Sequence, residues 1–176
     1  MVIRLKRFNL YLIALLVLAL AAGCATEERK RRHQPSKLDV HLEVPPDGTN
    51  LSEPVPIYRA KPVMVNVQRE AFLTELHVKE AKVVDAVGGF AIQIQFDRQG
   101  TWLLEEFTNQ YHGRRFAVHC DFGEQLKENR WLAAPIVSRG ISDGVFIFTP
   151  DATREEAEQL VLGLNNVARE VQKKLQ

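Results

Sequence analysis

Hydrophobic and polar positions along the chain change their period several times, and each change marks an element. Leu10 to Ala22 is an unbroken apolar run of about 13 residues. From 25 to 37 the chain carries Glu27, Glu28, Arg29, Lys30, Arg31, Arg32 and Lys37 with no apolar period, the pattern of a solvated spacer. Pro45, Pro46, Gly48, Pro54, Pro56 and Pro62 follow, and proline interrupts both helix and ladder bonding. The spacing therefore predicts a flexible tether over 24–61 and a folded domain over 62–176.

Inside that domain Val63, Val65 and Val67 alternate with Met64 and Asn66, a strand signal. Leu76, Val78, Val83, Val84 and Val87 lead into Gly88-Gly89, which marks a hairpin turn. In the return strand Phe90, Ile92, Ile94 and Phe96 point to one face, and Gln93, Gln95 and Asp97 to the other. The period then lengthens. Leu103, Leu104, Phe107 and Tyr111 share a helical face over 98–112, ending near Gly113. Phe116, Val118, Cys120 and Phe122 return to alternation, and a polar loop runs from Gly123 to Arg130. Trp131 to Val137 reads as an irregular strand that Pro135 assigns to an edge or bulge. Val145 to Thr149 is apolar on both faces, which predicts a central strand.

The final element has the fullest signature. Thr153 and Glu156 form a capping box, and Ala157, Leu160, Val161, Leu164, Val167, Ala168 and Val171 make one apolar stripe. The order of elements predicts an α+β fold: a ferredoxin-like sandwich, a largely antiparallel sheet with helices on one face.

Composition narrows the function. A formal charge of +1 over 176 residues gives no basic excess for phosphate-backbone binding, which argues against nucleic acid. Arg4, Lys6 and Arg7, the short apolar run and small residues before Cys24 describe a secretory signal over 1–23, since a spanning helix takes roughly 20 apolar residues. The Leu20-Ala21-Ala22-Gly23-Cys24 sequence resembles the lipobox of bacterial lipoproteins. That resemblance implies acylation of Cys24, anchoring in a lipid bilayer and, with Ala25 next, the outer membrane of a Gram-negative envelope facing the periplasm. Acylation of Cys24 would leave Cys120 with no intramolecular disulfide partner.

Candidate chemistry is sparse. His119 and Cys120 are consecutive strand residues on opposite faces, so one cannot activate the other. His33, His41, His77, His112 and His119 show no ligand spacing, and no metal or other cofactor is expected. The 140–144 segment Gly-Ile-Ser-Asp-Gly reads as a tight turn rather than a phosphate loop, because it lacks Lys and leads into a strand. The capping box already explains Glu156, so Asp143, Glu155 and Glu156 do not form a hydrolytic carboxylate pair. No small-molecule substrate is indicated. Trp131, Ala133, Pro135, Ile136 and Arg139, with the turn at 138–144, form an edge segment able to accept an extended peptide; Trp131 alternatively caps the core.

Several ordered motifs then point one way: Leu76-His77-Val78-Lys79-Glu80-Ala81, Gly89-Phe90-Ala91-Ile92-Gln93-Ile94-Gln95-Phe96-Asp97, Ala133-Ala134-Pro135-Ile136, Gly140-Ile141-Ser142-Asp143-Gly144 and Thr153-Arg154-Glu155-Glu156-Ala157. Together they resemble the first periplasmic domain of the SecD and SecDF protein-export family, over roughly residues 62–172. The family's transmembrane helices have no counterpart in this sequence. The resemblance implies a non-enzymatic module that binds a protein partner or an exported polypeptide. The alternative is a structural envelope lipoprotein that binds another envelope component with no export role.

Overall fold

The computed structural model describes residues 33–174. The expected signal segment over 1–23, Cys24 and the first part of the expected tether lie outside them. One compact unit runs from Gln34, and it is α+β and antiparallel throughout the described residues, with two α-helices. The expected class holds, although the strands divide among three sheets.

The first sheet has the order β4-β1-β7-β8, from Leu73–Thr74, Lys37–Leu42, Phe116–Phe122 and Glu128–Ala133. A two-stranded ribbon pairs β2, Ser52–Ile57, with β3, Val63–Gln68. The third sheet has the order β5-β6-β9, from Val78–Ala86, Gly89–Phe96 and Val145–Phe148. Helix α1 spans Arg98–Gln110 and α2 spans Arg154–Lys174.

The tether expected over 24–61 is corrected from residue 34 onward. Leu38, Val40 and Leu42 are buried at every second position, and β1 pairs along its whole length with β7, Lys37 opposite Asp121 and Leu42 opposite Phe116. Charged neighbours hid a period of two. The prolines of β2 are accommodated because β2 has a single partner, leaving Pro54 and Pro56 exposed in positions where no ladder bond is required of them. A second correction concerns β9. It has one neighbour, β6, and is an edge strand rather than a central one. Phe146 and Phe148 are buried whereas Ile147 is 52% exposed, so the apolar run alternates between a core face and an open face. The polar loop after β7 is also shorter than expected, a 3-10 turn at Glu124–Leu126 before β8 begins.

The main core lies between the first and third sheets and the two helices, around Leu38, Ile94, Phe96, Phe116, Leu104 and Leu164. Helix α2 packs on it through Ala157, Leu160, Gly163, Leu164 and Ala168. Its capping box forms: Glu156 N–H donates to Thr153 Oγ1 at 3.2 Å, and Thr153 N–H donates to Glu156 Oε2 at 2.7 Å. A smaller core sits on the other face of the first sheet, where Ala117 and Ala134 meet Val55, Ile57, Val65 and Val67 of the ribbon.

Candidate functional site

The edge segment and the turn after it divide into an inner and an outer part. Ala133 is buried in the main core at 2% exposure. Trp131 is half-buried against the smaller core, between the rings of His41 and His119, each 5.0 Å from it centroid to centroid; it caps that core. Pro135 turns its carbonyl to accept the Phe116 N–H at 3.0 Å. Ile136 is 56% exposed, and Arg139 is exposed.

Beyond Ile136 the chain becomes the wall of a cleft. Residues Arg139 to Asp143, with Val145 and Ile147 of β9, line a space of about 420 Å³. The wall is pinned by α1. Thr108 is fully buried; its hydroxyl donates to the Leu104 carbonyl at 2.6 Å and accepts the Ile141 N–H at 2.9 Å. Gly144 closes the turn at φ +70, and a Cβ there would run into Thr101. The Gly144 carbonyl accepts the Phe96 N–H at 3.0 Å, and Gln95 Nε2 donates to the Asp143 carbonyl at 3.1 Å.

These bonds also fix which backbone groups of β9 face outward. In an antiparallel ladder the residues bonded to the partner alternate with residues whose N–H and C=O point away. The Phe96 to Gly144 bond, with Ile94 opposite Phe146 and Ile92 opposite Phe148, turns those positions toward β6. Val145 and Ile147 then face the open edge, and the Val145 N–H accordingly donates to Asp143 Oδ1 at 3.0 Å. Among the described residues, no bond engages the Ile147 N–H or C=O. An exposed strand edge of this kind, beside a cleft with a fixed wall, has the hydrogen-bonding geometry to add an extended chain. By comparison the outer edge of β8 is partly closed, because the Leu132 carbonyl accepts the Asp151 N–H at 2.7 Å. Sequence reasoning named Arg139 and Ile136 but missed Val145 and Ile147. The signal was present in the alternation of aromatic with smaller aliphatic residues from 145 to 148.

The remaining candidate chemistry is structural. Cys120 is fully buried and faces the main core, and burial pushes its thiol well above the usual range, with Asp39 and Asp121 adding to the effect. No group of three or more His, Cys, Asp or Glu among the described residues is placed to hold a metal ion. Glu156 accepts an ion pair from Arg130 at 3.0 Å and another from Arg59 at 3.5 Å. Its burial opposes ionisation, but the Thr153 N–H and the two arginines outweigh that and hold its carboxyl below the usual range. Arg59 also reaches Asp151, to which its N–H donates at 2.6 Å. This network ties the end of the ribbon to the start of α2.

Residues 52–168 match the family model for the SecDF P1 head subdomain. Among solved structures, the chain is similar to one of SecDF described as a membrane component that enhances protein export, at 18% identity and a TM-score of 0.55, covering 81% of this chain and 68% of that one. It is also similar to SecDF in a form called super-membrane-facing, again at 18% identity, with a TM-score of 0.56, covering 81% of this chain and 20% of the other. No curated protein matches the chain.

Proposed function

The chain belongs to the SecDF P1 head subdomain family, and from that premise we propose that it is a membrane-anchored lipoprotein whose head domain binds polypeptide segments during protein export, with no catalysis of its own. The observation that carries the reading is the open β9 edge. Ile147 presents an unengaged N–H and C=O beside a cleft whose wall is rigidly held, and strand addition to such an edge recognises backbone rather than a particular sequence. That suits a partner in extended form. Arg139 belongs to the same wall, and Ile136, three residues before it, is exposed; Trp131 and Ala133 serve the two cores instead.

Anchoring comes from acylated Cys24, which lies outside the described residues; no helix among those residues is long and apolar enough to cross a membrane. Two or three acyl chains make attachment stable where a single chain is marginal. The domain then faces the periplasm, where exported chains emerge.

Photo-crosslinking residues at Ile136, Arg139 and Ile147 of the cell-expressed lipoprotein test this reading. Capture of translocon subunits or of many unrelated secreted chains is expected. Capture of one envelope protein alone would overturn the export role in favour of a structural lipoprotein, and no capture at all would remove the site.

A further inference from the structure

The outer face of the first sheet carries a cluster that the polypeptide-binding reading does not use. His119 stands at its centre with its side chain 17% exposed. On β1, Asp39 is paired in register with His119 and sets a carboxylate oxygen 3.8 Å from Nδ1. On β7 itself, Asp121 sets an oxygen 3.9 Å from Nε2. On β8, Asn129 Oδ1 lies 3.2 Å from Nε2, and the same amide turns its Nδ2 to donate to Asp121.

That last bond settles the protonation chemistry. An Asn whose NH₂ is committed to a carboxylate offers only its oxygen on the other side, so Nε2 must carry a proton to bond it. Nδ1 faces a carboxylate, which is an acceptor only. Both ring nitrogens therefore face acceptors, and the arrangement is complementary to imidazolium rather than to either neutral tautomer. Burial opposes the charge, but the contacts to Asp39, Asn129 and Asp121 outweigh it and raise the pKa above the ordinary 6.5.

Among the described residues, no Lys or Arg is among the groups that act on the ring's charge. Lys37 is opposite Asp121 in the β1 to β7 register and exposed. His41 donates from Nδ1 to the Gln68 carbonyl at 2.9 Å. From the ribbon, Glu53 and Arg69 pair with each other at 3.3 Å. Trp131 lies on the remaining side.

We propose that Asp39, His119, Asp121 and Asn129 form a proton-operated clamp that fastens β1, β7 and β8 to one another and holds Trp131 against the ring, and that loosens this face and the ribbon packed on it when the proton leaves. The sign follows from a pKa raised in the fold: the stabilisation is present in full below about 6.5 and is lost as pH rises through the higher folded value. Mild acid tightens the face and mild alkali relaxes it. The clamp stands whether or not the β9 edge binds polypeptide.

Trp131 reports on the clamp directly, because a protonated imidazole beside an indole quenches its emission. The chain has two tryptophans, and Trp131 lies 5.0 Å from His41 as well as from His119, so the full lipoprotein carrying Trp102→Phe and His41→Gln isolates the signal of His119. Emission titrated from about pH 5 to 9 is expected to fall on acidification with a midpoint above the ~6.5 of a free histidine. In that background Asp39→Asn should lower the midpoint by about one unit and His119→Gln should abolish the transition. A midpoint at or below 6.5, an unmoved midpoint in Asp39→Asn, or a transition that survives His119→Gln would each overturn the proposal. Ring carbon shifts of His119 followed by NMR in the unsubstituted protein give the same midpoint without relying on any variant's folding.

Discussion

A methyl group at Gly163 would enter the space of Ser36, whose backbone nitrogen stands 2.7 Å and Cβ 2.8 Å from where that carbon would lie. At an open helix position Gly→Ala adds about 1 kcal/mol of stability. Here the sign reverses, because the neighbour is partly backbone and cannot rotate away. Gly163→Ala is expected to cost about 1–3 kcal/mol and to lower Tm by roughly 3–10 °C in thermal unfolding by circular dichroism; an unchanged or raised Tm would show that Ser36, the residue before β1, does not press on α2 at Gly163. Cys120 illustrates the opposite case at the same scale: a residue with reactive chemistry that the fold makes inert, because it points into the core while His119, its neighbour in sequence, points out. The opposed faces of these two residues were legible from the strand period alone. The company His119 keeps was not, since Asp39 is 80 residues upstream in a stretch that reads as spacer and only the β1 to β7 pairing brings them together.

Elements protect their edges selectively. The outer edge of β5 is closed by a side chain: Asn165 on α2 accepts the Ala81 N–H at 2.9 Å and donates to the Ala81 carbonyl at 2.8 Å, as a neighbouring strand would. Asn165→Ala should cost about 1–3 kcal/mol by leaving both groups unpaired at a residue only 2% exposed. Hydrogen exchange at the Ala81 amide should quicken more than at its neighbours, and unchanged protection there would refute the edge role. The opposite edge of that sheet, β9, has no such cover. Helix α2 was readable in full from its cap and stripe because both are local. Strands β1 and β2 were not, because charges mask the alternation in one and prolines mask it in the other, and their stability comes from partners far along the chain. The same limit explains β9, whose hydrophobicity gives its strand character but whose position in the sheet depends on what pairs beside it.

For the whole molecule, the fold is a pair of cores on either side of the first sheet, and the family match over 52–168 includes β2, the ribbon strand that the proline pattern had assigned to the tether. The domain therefore begins near Gln34, and β1 is structural rather than connecting. In the likeness to SecDF structures, at 18% identity, it is the fold that is shared, and the functional account rests on the open β9 edge together with family membership. That account is tested most directly by removing one backbone donor. Ile147→Pro deletes an N–H that faces outward, a place where proline is tolerated on an edge strand, while Ile147→Thr shortens the side chain and keeps the donor. Binding of a fluorescently labelled, permanently unfolded polypeptide to the full-length protein, followed by anisotropy, should weaken by at least about tenfold, or ~1.4 kcal/mol, in Ile147→Pro and much less in Ile147→Thr, with both variants folded by circular dichroism. Undiminished binding by a folded Ile147→Pro protein would contradict strand addition at β9.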